Sequence, residues 1–311
     1  MGSIYYKKMK LKILFLLIFL VEWCSISFSQ SLSSFWQNDI SIGKRRKPKN
    51  SMAKGTAFFY WGYNRSAYTR STIHFSGIGY DFSLKGVKAV DRPSTSIGEY
   101  LNPTKITIPQ FNVRVGYNIT NYWNLSLGYD HLKYVMVHGQ TYLLSGKING
   151  GIDQNWSGSF FETPVTTNEN DFHYENTNGM NFIRVGLSNV RNIIRNSRDN
   201  FTLSYLIGAS TGVILSINDF TFGGRKDMAT VSLSGLGISG NAGLRFEFVK
   251  HFFVQTNVST GFLKQISVRT RPNEYSSIAR QNLGYIEGNI VVGALFYIRP
   301  TNSCDSCPAW H

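Results

Sequence analysis

Apolar and polar residues alternate one by one through residues 109–137, PQFNVRVGYNITNYWNLSLGYDHLKYVMV. A period of two residues predicts β-strands, because successive side chains of a strand point to opposite faces. The link NITNYW separates two such runs, so the stretch predicts a β-hairpin. One face of this hairpin is apolar, whereas the other carries Arg114 and Asp130. The apolar face would meet a second sheet in a soluble sandwich and lipid in a membrane barrel.

The same alternation recurs along the chain and predicts strands at residues 55–66, 105–118, 122–138, 178–189, 201–217, 235–249, 252–268 and 281–298. Short links alternate strictly with long ones in this prediction. The short links are 119–121, 190–200 and 250–251, and the long links are 67–104, 139–177, 218–234 and 269–280. Such asymmetry is typical of bacterial outer-membrane barrels, which have short turns at one end and long loops at the other.

We therefore predict an all-β fold, a transmembrane antiparallel up-and-down β-barrel of eight strands with long extracellular loops. The even strand number places both chain ends on the periplasmic side, together with the short turns. Ten strands are the alternative, because loop 67–104 contains the strand-like run IHFSGIGYDFSLKGVKAV. That run could form an extracellular hairpin, or it could enlarge the ring.

The polar faces of the predicted strands carry both signs of charge, on Arg114, Arg184, Arg245, Asp130, Glu247 and Glu287. An eight-stranded barrel is too narrow for an open channel, so side chains fill it. Buried charges need partners, because the desolvation of an isolated charge is costly. We predict that these residues form a charge network that fills the barrel interior, rather than an ion path. Aromatic residues near strand ends are predicted to form interfacial girdles; they are Tyr60, Trp61, Tyr63, Tyr117, Tyr122, Trp123, Phe252, Phe296 and Tyr297.

The N-terminus has the pattern of a secretory signal peptide. Residues 1–29 combine four lysines, the apolar run ILFLLIFLV, and small residues at Ser27 and Ser29, so we predict cleavage after Ser29. A membrane anchor is the alternative, although the run is far shorter than a helical span. The composition agrees with a barrel, because only 16% of residues are charged, a low share for a soluble surface.

Export would remove four lysines and Glu22 and lower the net charge from +14 to +11. Residues 30–54 are polar and aperiodic and are predicted to be a basic periplasmic arm, with cations at Lys44, Arg45, Arg46, Lys47, Lys49 and Lys54. The arm would contact anionic lipid head groups or cell-wall polymer, or remain solvated with no specific partner. Nucleic acid is not an expected partner of an exported protein. The barrel is assigned to 55–298 and a periplasmic tail to 299–311.

The signal peptide, the alternating strands and the hairpin ITNYWNLSLGYDHLKY resemble the small outer-membrane β-barrel proteins of Gram-negative bacteria. The abundance of Tyr, Asn and Gly is similar to that of barrel-domain proteins from Bacteroidetes. The resemblance covers about 55–298 and is one of pattern, without a motif specific to one activity. It implies a location in the cell outer membrane, contact with outer-membrane lipid and lipopolysaccharide, and insertion by the barrel-assembly machinery. The segment IVVGALFYI departs from the usual barrel ending, because a tail follows it.

Small barrels that resemble lipid A deacylases use a His and a Ser two residues apart on a lipid-facing strand, with an acidic partner. The nearest match here is DFHYENTNGMNF, with His173, Glu175, Thr177 and Asn178. Glu175 stands where that family has its Ser, so the motif is broken. His131 is a second candidate, but it and Asp130 are neighbours on a strand and point to opposite faces. His74 and His138 have no evident nucleophile nearby in the sequence. We therefore predict no catalytic residue.

The tail CDSCPAWH contains Cys304 and Cys307 in a C-x-x-C spacing. In an oxidising periplasm the pair is predicted to form a small structural disulfide or to remain as two thiols without a special role. A metal held with His311 would lack a fourth protein ligand, so we predict no metal site. We also predict no cofactor.

The leading hypothesis is a non-enzymatic outer-membrane barrel that acts through its extracellular loops or periplasmic ends, in envelope structure, ligand binding or a protein complex. Loops 67–104 and 139–177 are long enough to bind a partner, and they contain GIGYDF and WSGSFFE. The alternatives are a lipid A-modifying enzyme that uses His173 or His131, and a narrow solute channel.

Overall fold

The computed structural model describes residues 52–94, 96–101, 109–196, 201–249 and 251–298. In chain order the strands are β1 (Thr56–Tyr68), β2 (Ser71–Gly77), β3 (Tyr80–Val87), β4 (Ala89–Val90), β5 (Phe111–Asn118), β6 (Trp123–Met136), β7 (Thr141–Ile148), β8 (Gly158–Thr166), β9 (His173–Arg195), β10 (Phe201–Phe222), β11 (Arg225–Phe248), β12 (Phe252–Arg269) and β13 (Ile278–Tyr297). A short helix, α1 (Ile97–Leu101), precedes β5. Among the described residues, no helix has the length and hydropathy needed to cross a membrane.

Eight of the strands form a closed antiparallel ring in the order β1-β5-β6-β9-β10-β11-β12-β13. The first and last ring strands close it, because β1 pairs with β13 from Thr56 opposite Tyr297 to Tyr68 opposite Tyr285. All eight predicted strands are present in this ring, so the prediction of an eight-stranded antiparallel barrel is confirmed. The ten-stranded alternative is wrong, because the hairpin β2–β3 lies outside the ring.

The strands outside the ring extend one of its walls at the end away from the short turns. There β13 pairs with β2, β2 with β3, β3 with β7 and β7 with β8. We call β2, β3, β7 and β8, with the segments that join them to the ring, the cap. The strand-like run in 67–104 thus forms a hairpin, as the first alternative predicted. Segment 139–177, predicted as a long link between two ring strands, contains β7 and β8.

The segment 218–234 is also not a loop, because β10 and β11 continue through it as a long hairpin. Only Gly223 and Gly224 separate the two strands, and their φ angles are 64° and 70°. Two consecutive residues with positive φ make the two-residue turn whose twist matches that of a hairpin, and glycine adopts this conformation without strain. The local sequence Gly-Gly was therefore the turn signal within this segment.

The outer wall of the ring is apolar. The exposed side chains that form this girdle are Phe59, Val115, Leu125, Leu127, Val185, Leu187, Ile207, Ile238, Leu244, Phe246, Val258, Phe262, Ile286, Ile290, Val292 and Phe296. From Ile286 to Phe296 on a tilted strand the girdle is about 25 Å tall, at ~3.3 Å per residue. Tyr122 and Trp123 are exposed beside it at the short-turn end. The prediction that Tyr60 belongs to an interfacial aromatic girdle is wrong, because its side chain is buried inside the ring.

The polarity of the inward and outward faces changes along β12. In β12, Gln255 is buried inside the ring while Val258 and Phe262 are exposed outside. One residue further, Leu263 is buried and Lys264 is exposed. Two positions on, Gln265 is buried and Ile266 is exposed, so beyond Phe262 both faces of β12 are mixed in polarity.

The ring and cap enclose three layers of side chains. A small apolar cluster lies near the short turns and consists of Phe58, Tyr60, Phe253, Val291 and Leu295. Polar and charged side chains fill the middle of the ring. A large apolar core fills the cap end; its aromatic members are Phe75, Tyr80, Phe82, Tyr134, Tyr142, Phe172, Tyr174, Phe182, Phe220, Phe222 and Tyr285.

Candidate functional site

The centre of the ring is organised around one carboxylate, that of Asp130 on β6. Arg114 of β5 donates to both of its oxygens, from Nη1 to Oδ1 at 2.5 Å and from Nη2 to Oδ2 at 2.9 Å. Arg184 of β9 approaches Oδ2 through Nη2 at 2.7 Å. Gly128 lies opposite Arg114, and a Cβ there would be 2.2 Å from the guanidinium, so the missing side chain makes room for Arg114. The result is a fully buried Arg–Asp–Arg triad.

A series of side-chain hydrogen bonds extends from the triad along the ring wall. It runs through Asn112, Glu287, Asn289, Asn257 and Gln255 to Arg245. Asn112 Nδ2 lies 2.6 Å from Asp130 Oδ1 and 2.9 Å from Glu287 Oε1. At the far end Arg245 Nε donates to Gln255 Oε1 at 2.7 Å. Asn112 thus bridges the carboxylates of Asp130 and Glu287, and three further amides connect Glu287 to Arg245.

Arg245 lies between aromatic rings near the short turns. Its guanidinium carbon is 4.4 Å from the ring centroid of Phe253 and 5.2 Å from that of Phe58. A cation over aromatic faces is stabilised by the ring quadrupoles, most strongly where water is excluded. Glu247 is buried on the same face of β11, two positions along. These side chains occupy the lumen at the short-turn end.

Little space remains in the lumen. The cavity between the triad and Arg245 has a volume of about 40 Å³, and Tyr60, Arg114, Arg184 and Arg245 are among its sixteen lining residues. A volume of this size holds a few water molecules at most. The arrangement can hold charge in a fixed geometry.

A second polar cluster lies in the cap, at the base of the link between β8 and β9. His138 Nε2 is 2.7 Å from His173 Nδ1, and His138 Nδ1 is 3.2 Å from Thr167 Oγ1. His173 Nε2 in turn lies 3.1 Å from Glu175 Oε2, which Arg92 approaches at 3.3 Å. Burial and then the facing His173 imidazole lower the pKa of His138, although Glu169 and Glu175 oppose this shift. The folded state therefore favours the neutral form of His138.

The histidines of the enzyme alternative do not lie where that alternative needs them. His173 and Glu175 are buried, whereas the resemblance to deacylases implied a lipid-facing strand. His131 is buried against Phe111 and bonds Asn181 at 2.7 Å, and it does not contact His173 within the described residues. Asn178 is exposed, and Thr177 lies outside the residues whose side chains are described.

His74 lies on the outer face of the cap sheet, with Nδ1 3.0 Å from Ser83 Oγ and Nε2 3.6 Å from Asp81. Cys304, Cys307 and His311 lie outside the described residues, as do the predicted signal peptide and most of the basic arm. The predictions for these segments stay predictions.

The cap also contains a pocket that sequence reasoning did not identify. Its volume is about 260 Å³, and its walls are Asp153, Asn155, Trp156, Thr166, Thr167, Asn168, Asp171, Phe172 and Phe222. We call this the cap pocket. The β7–β8 turn, the β8–β9 link and the tip of the β10–β11 hairpin each contribute residues. The only signal in the sequence was the Trp of WSGSFFE, because the other walls come together through contacts that are distant along the chain.

The polar side of the cap pocket is held by local hydrogen bonds. Asp153 Oδ1 accepts from the backbone N–H groups of Asn155 and Trp156, at 2.9 and 2.8 Å. Its Oδ2 accepts from Gly223 N at 3.2 Å, which ties the β7–β8 turn to the β10–β11 tip. Asp171 Oδ2 accepts from the side-chain amide of Asn155 at 3.5 Å and from that of Asn168.

The geometry defines a class of protein, an eight-stranded antiparallel β-barrel with a filled lumen and a folded cap. No family model and no curated protein matches the chain. Among solved structures it is similar to the outer membrane protein OprG from Pseudomonas aeruginosa, with 11% identity and a TM-score of 0.38 over 80% of this chain and 100% of that one. It is also similar to Neisserial surface protein A, with 8% identity and a TM-score of 0.32 over 78% and 98%. A third is Ail, the attachment invasion locus protein of Yersinia pestis, with 12% identity and a TM-score of 0.31 over 78% and 100%.

Proposed function

We propose that the protein is an integral outer-membrane β-barrel that conducts no solute and binds an external ligand through its cap. The girdle would contact the acyl chains of lipid and lipopolysaccharide, the short turns would face the periplasm, and the cap would face the outside. Insertion would follow signal-peptide export and use the barrel-assembly machinery. The likeness to Bacteroidetes barrel proteins in particular stays a prediction from the sequence.

The exposed aliphatic girdle of the ring strands carries the membrane part of the proposal. In β13, Glu287 is buried inside the ring and Ile290 is exposed outside, whereas nearer the cap Leu283 is buried and Arg280 is exposed. A strand of a soluble protein has no reason to expose aliphatic residues over one half and charged residues over the other. A girdle about 25 Å tall matches the apolar band of a membrane barrel.

The filled interior supports a role other than transport. The charge network occupies the middle of the ring, and the cap core closes the lumen beyond it, with Leu263 and Leu283 among its buried members. A channel needs a continuous wet path, and both fillings oppose one. The cap strands are not needed to close the ring, which β1 and β13 already close. Their core and their pocket therefore favour a binding role.

Labelling of single cysteines in intact cells tests the orientation. Ser159 is exposed on β8 in the cap, and Ile193 is exposed near the short turns. A membrane-impermeant maleimide should label Ser159→Cys in intact cells and Ile193→Cys only after permeabilisation, above the background of the unsubstituted chain. Labelling of Ile193→Cys alone in intact cells would reverse the orientation, and recovery of the protein in the soluble fraction would refute the membrane assignment.

Two further measurements test the function. The purified protein should give no discrete conductance in planar bilayers, and its expression should leave the lipid A mass profile of the host unchanged. In nanodiscs it should bind a member of a panel of defined peptides, lipids and glycans, and an antibody fragment raised against residues 149–172 should block that binding. Discrete conductance, altered lipid A, or no fragment-sensitive binding would each contradict the proposal.

A further inference from the structure

We propose that the cap pocket binds a neutral saccharide, with one sugar ring held against Trp156. This inference rests on the proposed function, because it names the ligand class that the cap would take from outside. It is carried by an aromatic wall, a rim that both donates and accepts hydrogen bonds, and the absence of any basic side chain among the pocket walls that the structure describes.

The aromatic wall is formed by Trp156 with Phe172 and Phe222. The centroids of Trp156 and Phe172 are 5.2 Å apart with their planes at 31°, and Trp156 meets Phe82 edge-on at 6.3 Å. These contacts fix the indole, which is only half-buried and so still presents surface to the pocket. A sugar ring has an apolar face of C–H groups, and a fixed aromatic surface buries that face at little entropic cost.

The opposite side of the pocket is polar in a way that suits hydroxyl groups. Asp153 and Asp171 supply carboxylate oxygens, which accept only, whereas Asn155 and Asn168 supply amides that donate and accept. Each amide nitrogen gives one hydrogen to Asp171 and has a second one to donate. A hydroxyl both donates and accepts, so adjacent hydroxyls of one sugar can satisfy this mixed rim.

Charge and size narrow the ligand class further. Asp153 and Asp171, with Glu169 in the same link, would repel an anion. A cation would use the carboxylates but not the amide donors, whereas a hydroxyl group can use both. The volume of about 260 Å³ lies below the about 300–1,000 Å³ of sites for drug-sized molecules. One sugar ring of a longer, neutral glycan fits these limits best.

The pocket is built before any ligand arrives. Asp153 holds the β7–β8 turn to Gly223, and Thr167 contacts His138 at the base of the β8–β9 link. Asn168 Oδ1 accepts from the backbone N–H of Asp171 at 3.0 Å, which sets the position of that carboxylate. Little ordering is then needed on binding, so a few hydrogen bonds and one stacked ring are enough for measurable affinity.

The test is calorimetric titration of the full chain in nanodiscs with neutral methyl glycosides and disaccharides, and with tetramethylammonium and calcium chloride as the cation arms. Asp171→Ala removes an exposed carboxylate of the rim and should weaken saccharide binding at least tenfold. Asp81→Ala makes the same change at an exposed site of β3 outside the pocket and should change binding less than twofold. Trp156→Leu should abolish binding while an apolar side chain still covers the core.

The outcomes separate the two proposals. Saccharide binding that Asp171→Ala weakens and Asp81→Ala preserves supports the inference. Binding of tetramethylammonium or calcium alone overturns it, and so does saccharide binding that both alanine variants leave intact. Binding of a peptide or lipid that the antibody fragment blocks, without saccharide binding, overturns the inference but leaves the proposed function in place. If no ligand of any class binds, both the inference and the proposed function are refuted. Proteolysis patterns of the variants show whether the cap remains folded.

Discussion

The middle of the ring and the cap are enclosed by some of the same strands, yet their interiors have opposite chemistry. The ring middle is filled by charges and amides, with Asp130 between two arginines. The cap is filled by packed aromatic rings, such as Phe75, whose centroid is 5.3 Å from that of Phe82. What differs is the medium outside the wall.

Where the outer wall is apolar, the alternation of a strand leaves polar positions for the inside, and these must then pair with each other. Where the outer wall is polar, the inward positions are free to form an ordinary hydrophobic core. In a barrel, therefore, the polarity of the inward-facing residues depends on the medium that the outward-facing residues of the same strand meet. This dependence also predicts which substitutions each region tolerates.

The largest effect is expected from the ring interior. Arg114→Leu leaves Asp130 buried with one of its two arginines, which should cost about 3–5 kcal/mol of unfolding free energy because a buried charge loses its partner. Urea unfolding in micelles measures the loss, and the heat-modifiable gel shift should weaken. Lys85→Leu is the matched control, since it breaks an exposed pair with Glu162 in the cap and should cost about 0–1 kcal/mol. Equal losses for both variants would contradict the buried network.

A substitution in the apolar core of the cap should destabilise the cap without destabilising the ring. Phe82 is buried among aromatic rings, so Phe82→Ala should destabilise the cap by about 3–5 kcal/mol through lost burial and a cavity. Hydrogen exchange should then show β2, β3 and β7 opening while the ring strands stay protected. Phe161→Ala, at a residue 87% exposed in the same sheet, should change stability by less than about 0.5 kcal/mol. Simultaneous melting of ring and cap would show that the two regions are one cooperative unit.

Substitution of two isoleucines tests whether the outer surfaces of the ring and the cap meet different media. Their exposed fractions are similar, 64% for Ile290 in the girdle and 67% for Ile78 in the cap. Ile290→Lys should cost about 2–4 kcal/mol in lipid vesicles, because a lysine would face the middle of the bilayer. Ile78→Lys should be nearly neutral, because it faces water. The comparison is made by urea unfolding from vesicles, and equal tolerance of lysine at both sites would refute the membrane girdle.

The smallest effect is expected from pH and should be confined to the cap. The pKa of His138 is lowered by burial and by His173, so the folded state favours its neutral form. Its contribution to stability is therefore complete above the ordinary histidine pKa of about 6.5 and is lost as the pH falls below it. The protection factors of residues 167–173, which correct for the slower intrinsic exchange at lower pH, should fall from pH 7.5 to pH 5.5, and those of the ring should not change. His138→Gln should remove this dependence; its persistence in that variant would assign it to another group.

The eight ring strands could be predicted because strand alternation is a local signal that needs no knowledge of the partner strand. The charged residues of the lumen were identifiable for the same reason, since parity alone separates Arg184 from Val185. The cap strands were only partly predicted. In β8, GSFFETPVT, both faces are largely exposed, so neither parity is consistently apolar and the alternation disappears.

The sequence by itself determined the strands, their two faces and the antiparallel order of the ring, because neighbouring positions and short turns set all three. Only the tertiary structure decided that Asn112 bridges Asp130 and Glu287, although Glu287 lies 175 positions after Asn112 in the chain. Only the tertiary structure likewise brings Asp153 to Gly223 at the tip of the β10–β11 hairpin, 70 positions away. Those contacts depend on ring closure and on how the cap sheet folds over its core. Both are non-local, so no window of residues contains them.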